Sequence, residues 1–252
     1  MTNTQSSNSC AVPPAIRISA CSRLSKRMFQ RASWLGSSLA QLPKTQQLKL
    51  ILRDDNNGTN AAGLSEHYNN TIEHLLSRGA PLETILAFCH DDIYIHDWNL
   101  GYTLDLGLRE FDLIGPIGCQ QARKDQPGWA STLDQQGKHI FLSHSQIKPS
   151  GSINHCDYVR IIPEYFHPIG VRCALLDGCF LAVRLETFAT HPSLRFDNQF
   201  RFHCYDTDLC RQALRLDLRI GSWPLLISHQ SGGSFDNSWE EAAKCFQQKW
   251  AI

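Results

Sequence analysis

The sequence predicts an α/β domain in which a mostly parallel central sheet carries helices on both faces. Three observations lead there. The first is Ile85-Leu86-Ala87-Phe88-Cys89, an uncharged run that passes straight into His90-Asp91-Asp92. An apolar run of that length, bounded by polar residues, is the pattern of a strand buried on both faces. The second is the alternation of strand-like and helix-like segments from residue 16 to residue 92, the signature of parallel strands joined by crossover helices. The third is size: 252 residues, 42% of them hydrophobic, favour one large core over two small ones.

Residues 1–14, polar and rich in Ser, Asn and Thr, read as a flexible leader, and residues 15–252 as a single domain. Ile16-Arg17-Ile18-Ser19-Ala20 alternates and is β-branched, so it is the expected first strand. Ser25 can cap a helix running to about residue 39, with Pro43 beyond its end. Leu48-Lys49-Leu50-Ile51-Leu52 is the expected second strand, followed by the turn cluster Arg53-Asp54-Asp55-Asn56-Asn57-Gly58. Asp54 could contact the base or ribose of a nucleotide; turn chemistry alone would also place it there. Residues 64–78 form the next helix, closed by Gly79 at the position of a C-terminal cap. Then comes the run ending in His90-Asp91-Asp92, at the carboxyl end of its strand, where open α/β sheets bind ligands. Carboxylates there suit Mg2+ or Mn2+ and, through the ion, a diphosphate. A solvated turn is the plainer reading of the same residues.

A short helix is expected from Asp97-Trp98, and a fourth strand at Phe111-Asp112-Leu113-Ile114-Gly115. Residues 120–158 show no steady period of 2 or 3.6 and read as a long loop or lid. Trp129, His139, His144 and His155 lie in it, and loop aromatics suit stacking on a sugar. Asp177-Gly178 interrupts the apolar segment 174–184, where a Gly permits a bulge or a close approach by a ligand, or simply a hairpin turn. A helix from Thr207 to about residue 216 would carry Asp206 and Asp208 at its N-terminus, as caps or as functional acids. Residues 219–228 read as a last strand, ending in His229-Gln230-Ser231-Gly232. Ser238-Trp239-Glu240-Glu241 reads as a capping box opening a terminal helix.

Lys+Arg 24 against Asp+Glu 24 leaves no net charge, which argues against nucleic acid as the main partner. The ten cysteines contain no C-x-x-C pair, so a zinc knuckle or thioredoxin-type site is not expected. The N-terminus lacks the basic start and apolar centre of a secretion signal, and no run approaches the ~20 apolar residues of a membrane helix. A cytoplasmic protein is the expectation.

Taken in order, Gly63-Leu64-Ser65 with Asn69, His90-Asp91-Asp92, Asp177-Gly178 before Phe180-Leu181-Ala182-Val183-Arg184, Tyr205-Asp206-Thr207-Asp208-Leu209 and His229-x-Ser231-Gly232 resemble a known family. They look like the GT-A nucleotide-sugar glycosyltransferases of family 2 type, closest to the branch named for a streptomycin-biosynthesis protein, whose metal motif reads His-Asp-Asp. The resemblance spans about residues 16–250. It implies a GT-A (nucleotide-diphospho-sugar transferase) fold and transfer of a sugar from a nucleotide-sugar donor to a glycan or small-molecule acceptor. Asp92 matches the last acid of the family's metal-binding Asp-x-Asp element and His229 the late His that joins the metal or diphosphate. His90 stands where the first acid usually sits, and Asp91 would lie near the nucleotide; Asp177 and Gly178, and from the turn cluster Asp54, are the further candidates for the donor site. Asp206 matches the general base, while Tyr205 replaces the Glu that usually precedes it. Gln247-Gln248-Lys249-Trp250 departs from the Gln-x-x-Arg-Trp of processive members, so polymer synthesis is not expected.

The chemistry of the residues agrees with that assignment. A divalent ion on Asp92 would stabilise the charge that builds on a leaving nucleoside diphosphate. A carboxylate in reach of the acceptor hydroxyl can take its proton, with Asp206 the candidate and Asp208 the reserve. Two rivals remain at this level. One is a catalytically inactive protein of the same fold that binds a sugar nucleotide or glycan. The other is a metal-dependent nucleotidyltransferase or phosphohydrolase, which would need a Gly-rich phosphate loop that does not follow the first strand.

Overall fold

The computed structural model describes residues 14–156, 160–231 and 233–251. Most of the expected leader, Cys10, Tyr158 at the end of the expected loop, and Gly232 lie outside the described residues. In chain order the elements are β1 (Ile16–Cys21), α1 (Lys26–Ala32), α2 (Trp34–Gln41), β2 (Leu48–Arg53), α3 (Leu64–Ser77), β3 (Ile85–Cys89), β4 (Ile93–Ile95), α4 (Leu100–Glu110), β5 (Leu113–Gly115) and β6 (Ile117–Cys119). There follow β7 (Ser131–Leu133), β8 (His139–Phe141), α5 (His144–Ile147), β9 (Pro149–Cys156), β10 (Ile161–Phe166), β11 (Leu175–Leu176), β12 (Phe180–Arg184), α6 (Leu185–Thr190), α7 (Tyr205–Arg215), β13 (Ile220–Ser222), β14 (Ile227–His229) and α8 (Asn237–Trp250).

The architecture is mixed α/β. The main sheet has the order β13-β5-β12-β3-β1-β2. The pairs β1–β2, β1–β3 and β5–β13 are parallel, while β12 runs antiparallel to both β3 and β5. The central sheet is therefore mixed, where the alternation of elements predicted one mostly parallel. β12 reverses because its chain arrives from a second sheet and not from a crossover helix. That second sheet has the order β11-β6-β9-β14-β4, with β10 paired to β9. Its pairs are antiparallel except for β9–β14.

β3 behaves as its apolar run predicts, with every residue buried. Ile85, Ala87 and Cys89 enter the core shared with α1, α2 and α4, while Leu86 and Phe88 enter the core shared with α3, α6, α7 and α8. This period of 2, with both faces dry, is what an interior strand requires. Gly79 has φ +63°, the left-handed conformation expected of a residue closing α3.

Four local expectations change. The helix expected to run from Ser25 breaks at Ser33, whose hydroxyl donates to Phe29 O and accepts from Gly36 N, ending α1 and capping α2. The expected strand 219–228 is two strands in different sheets. Pro224 has no N–H to give a ladder, and the chain changes sheets around it. The terminal helix is capped by Asp236, whose Oδ1 accepts from the N–H groups of Ser238 and Trp239, so the box read at Ser238 is not used. The region 120–158, expected as a loop, holds β7, β8, α5 and β9 among its described residues. Strands of three residues are too short to show a period, and β9 is polar yet largely buried between β6, β10 and β14. No helix among the described residues is long and apolar enough to cross a membrane.

α8 is anchored to α7 through Asp208, the acid held in reserve as a base. Its fully buried carboxylate accepts from Trp250 Nε1 at 2.8 Å, Lys249 Nζ at 2.7 Å and Gln212 Nε2 at 2.7 Å. Each oxygen is committed to packing. Asp208→Ala is expected to cost about 2 kcal/mol, below the range for a fully buried pair because Lys249 keeps Asp197 as a partner. The midpoint of thermal unfolding by circular dichroism should fall by roughly 5 °C; an unchanged midpoint would show that the anchor contributes nothing.

Candidate functional site

The carboxyl end of β3 delivers His90, Asp91 and Asp92. The N–H of His90 donates to Cys179 O at 3.1 Å, and Asp92 O accepts from Gln230 N at 2.9 Å, so this tip is tied to both sheets. β14 runs antiparallel to β4 with His229 opposite Ile93, which sets the imidazole beside Asp92. Asp177-Gly178 is the crossing from β11 in one sheet to β12 in the other. α7 begins beneath it with Tyr205 and Asp206, after Cys204 in a left-handed conformation (φ +61°).

These pieces form one hydrogen-bonded chain. The hydroxyl of Tyr205 donates to Gly178 O at 2.8 Å, and His90 Nε2 lies 2.9 Å from the same hydroxyl oxygen. Burial pushes the Tyr205 phenol well above its usual range, so its proton stays. The Tyr205 proton is spent on Gly178, so His90 must donate from Nε2. Its Nδ1 lone pair is then free on the side of Asp92, 3.9 Å from Oδ1. Burial lowers the pKa of His90 and outweighs the opposing pull of Asp92, which keeps the ring neutral near pH 7. Phe202 stacks on it, with ring centroids 6.1 Å apart and planes within 11°.

His229 is buried, and neither of its ring nitrogens makes a hydrogen bond; nor does Asp92 Oδ1. His229 Nε2 approaches Asp92 Oδ1 to 3.3 Å without the alignment of a hydrogen bond. Burial raises the Asp92 carboxyl, but His229 and His90 more than offset this and hold it below the usual carboxylate range. The ligand atoms of His90, Asp92 and His229 all lie within 4.8 Å of one another, and the three could hold a metal ion. Buried polar atoms without partners cost about 1–3 kcal/mol each, and a cation would satisfy Asp92 Oδ1 and one ring nitrogen of His229 together. Two imidazoles and one carboxylate suit a first-row transition ion such as Mn2+ better than Mg2+, which prefers oxygen throughout.

Two further carboxylates lie beside the triad. Asp177 accepts from Trp129 Nε1 at 2.7 Å and from Cys179 N at 2.7 Å. Burial raises its pKa, yet His229, the bonds from Cys179 and His90 bring it below the ordinary value, so it is ionised. Asp206 Oδ2 accepts from Gly178 N at 2.8 Å. Its own burial and the neighbouring charge of Asp177 push its pKa up to about 7. The two acids are thus driven apart in pKa, as in sites that divide acid and base roles. A Cβ at Gly178 would stand 2.5 Å from Tyr205 Oη and 2.8 Å from Asp206 Cβ, so the fit of β12 onto α7 admits no side chain there.

His90, Asp92, Asp177, Gly178, Asp206 and His229 line one cleft of about 520 Å³. Asp91 and Asp54 do not. Asp91 bonds through its side chain with Ser22, and its carbonyl accepts from Leu35 N; Asp54 accepts from Lys26 N at the start of α1. Both serve the loop after β1. Sequence reasoning missed Tyr205 as the anchor of His90, Trp129 as a partner of Asp177, and the pair His155–Glu164 at 3.5 Å. Nothing in the one-dimensional pattern marks these, since their partners lie 48 to 115 residues away, apart from β9–β10. Among the described residues, no Lys, Arg, Asn or Gln lines the cleft.

No family model matches the chain, and no curated protein matches it. Among solved structures, a crystal structure of a protein from STIV is similar over 86% of this chain and 86% of that one, at 9% identity and a TM-score of 0.45. The crystal structure of a glycosyltransferase involved in the glycosylation of the major capsid of PBCV-1 is similar over 93% of this chain and 100% of that one, at 10% identity and a TM-score of 0.41. Likenesses this distant decide nothing about chemistry; the side chains of the cleft do.

Tyr205→Phe should keep the fold and release His90. Mn2+ affinity, read from the free-ion signal in electron paramagnetic resonance, is expected to fall about 10- to 100-fold, the usual effect of losing the partner that orients a metal-binding histidine. Unchanged affinity would remove His90 from the ligand set.

Proposed function

We propose that the protein is a metal-dependent, inverting glycosyltransferase of GT-A type, similar to family 2, that moves a sugar from a nucleotide-sugar donor to an acceptor hydroxyl. One observation carries this reading: the His90–Asp92–His229 triad and Asp206 face a single cleft with no Lys or Arg among its described lining residues. A nucleoside diphosphate brings concentrated negative charge, and without a fixed cationic side chain the cleft needs a cation to receive it. When bound, a divalent ion such as Mn2+ would supply Lewis-acid stabilisation of the leaving diphosphate. Asp206 then takes the proton of the acceptor hydroxyl as that oxygen attacks the anomeric carbon from the face opposite the diphosphate, which inverts the configuration. Burial, with the ionised Asp177 beside it, holds the pKa of Asp206 in a range useful near neutrality. The segment 127–155 supplies one wall of the cleft and would exclude water as a competing acceptor.

The departures from the family pattern at His90 and Tyr205 support activity, because the two replacements bond to each other. A His in place of the first acid needs an orienting partner, and a Tyr in place of the Glu provides it. Asp91 and Asp54 remain candidates for contact with the nucleoside only if the donor reaches beyond the cleft toward the loop after β1.

Asp92→Asn should abolish Mn2+-dependent binding of UDP-, GDP- and TDP-sugars in calorimetry while circular dichroism stays unchanged; retained Mn2+ dependence would move the ion elsewhere. Asp206→Asn should keep donor binding and lose at least about 10²-fold in transfer rate, the range for a missing general base. The rate should fall as pH drops through the pKa of Asp206, because only the ionised form accepts a proton. With that pKa at about 7, and the bound ion acting to lower it, the inflection is expected at or below pH 7. A rate independent of pH between 5 and 8 would assign the base to another group.

A further inference from the structure

The outer part of the cleft has a different chemistry from its floor. Phe141 on β8, Ile162 on β10 and Phe202 before α7 line it, and they are 67%, 45% and 54% exposed. Phe166 and Phe235 continue the same surface. Along β10 the residues facing the cleft are Ile162, Glu164 and Phe166, and Glu164 is paired with His155. His203, another polar group of this part, is bonded to Ser238 Oγ at 3.1 Å.

The amides and guanidinium groups of Asn, Gln and Arg can each reach several hydroxyls of a free saccharide acceptor at once. None of these lines the cleft among the described residues. Branched aliphatic groups such as Ile162 have no π-face to lay against a sugar and gain only by covering apolar surface. Three large apolar side chains, from β8, β10 and the stretch before α7, left in water around one opening form a patch that calls for a ligand. This apolar mouth runs directly into the floor that holds Asp206, so whatever covers it presents its polar end to that carboxylate.

Resting on the transferase reading, we infer that the acceptor is a hydroxyl carried on an apolar body, a phenol or alcohol with a ring or hydrocarbon skeleton, and not a free sugar. The hydroxyl lies at Asp206 and the skeleton against Phe141 and Ile162. Aromatic and aliphatic contacts then select the acceptor, while the ion and the two acids serve the donor and the proton.

The test compares 2-naphthol with methyl glucoside, by calorimetry on the whole chain in the presence of Mn2+, with Mn2+ binding followed separately by electron paramagnetic resonance. The naphthol is expected to bind at least tenfold more tightly. The double variant Phe141→Ser with Ile162→Ser, both positions exposed and outside the triad and the acid pair, should erase that preference and leave Mn2+ affinity unchanged. Equal or tighter binding of the glucoside overturns the inference, as does a preference that survives the double variant. If the wild-type chain binds no Mn2+ yet keeps the preference for naphthol, the transferase reading fails and the apolar cleft stands as a binding site of another kind.

Discussion

The hydrogen-bonded chain from His90 through Tyr205 to Gly178 is the constraint on which the site depends. It joins the tip of β3, the first turn of α7 and the crossing between the two sheets. It fixes the tautomer of one imidazole and leaves that ring's second nitrogen directed toward Asp92. Gly178 takes part with both of its backbone groups, its carbonyl accepting from Tyr205 and its N–H donating to Asp206. The positions of the triad and of the acid are therefore set by one peptide neighbourhood, which explains why there is no space for a Cβ at that residue.

Much of the scaffold was legible in the chain. β1, β2, α3 and β3 lie where alternation, capping and apolar runs put them, because each is decided by local periodicity and burial on a full-length element. The second sheet was not legible. Four of its six strands are only two or three residues long, and β9, Pro-Ser-Gly-Ser-Ile-Asn-His-Cys, is buried by its neighbours and not by its own hydrophobicity. Of the site, Asp92, His229, Asp177, Gly178 and Asp206 were readable as acids, imidazoles and a glycine at the ends of elements. Asp91 and Asp54 carried the same local signature and fell outside the cleft, because a carboxylate at a strand end is used equally well to tie down a loop. Tyr205 and Trp129 act through partners far away in sequence, which a linear pattern does not encode.

Electrostatically the cleft is unusual in what it combines. Asp92, Asp177 and Asp206 share one small volume with His90 and His229 and with no permanently charged cation among the described lining residues. Burial raises all three acids. Histidines and backbone donors bring two of them back down, and only Asp206 is left near neutrality. The division of labour follows from solvation and neighbours, since the three side chains are chemically identical.

The triad takes His90 and Asp92 from the end of the main sheet and His229 from β14 of the second. The two sheets are hydrogen-bonded within themselves and share no strand. Any cation seated between these groups would work as a rivet through two plates. Tightness of binding and stiffness of the seam would then be a single mechanical quantity, and a substitution that lets the plates slide could loosen the rivet without touching it.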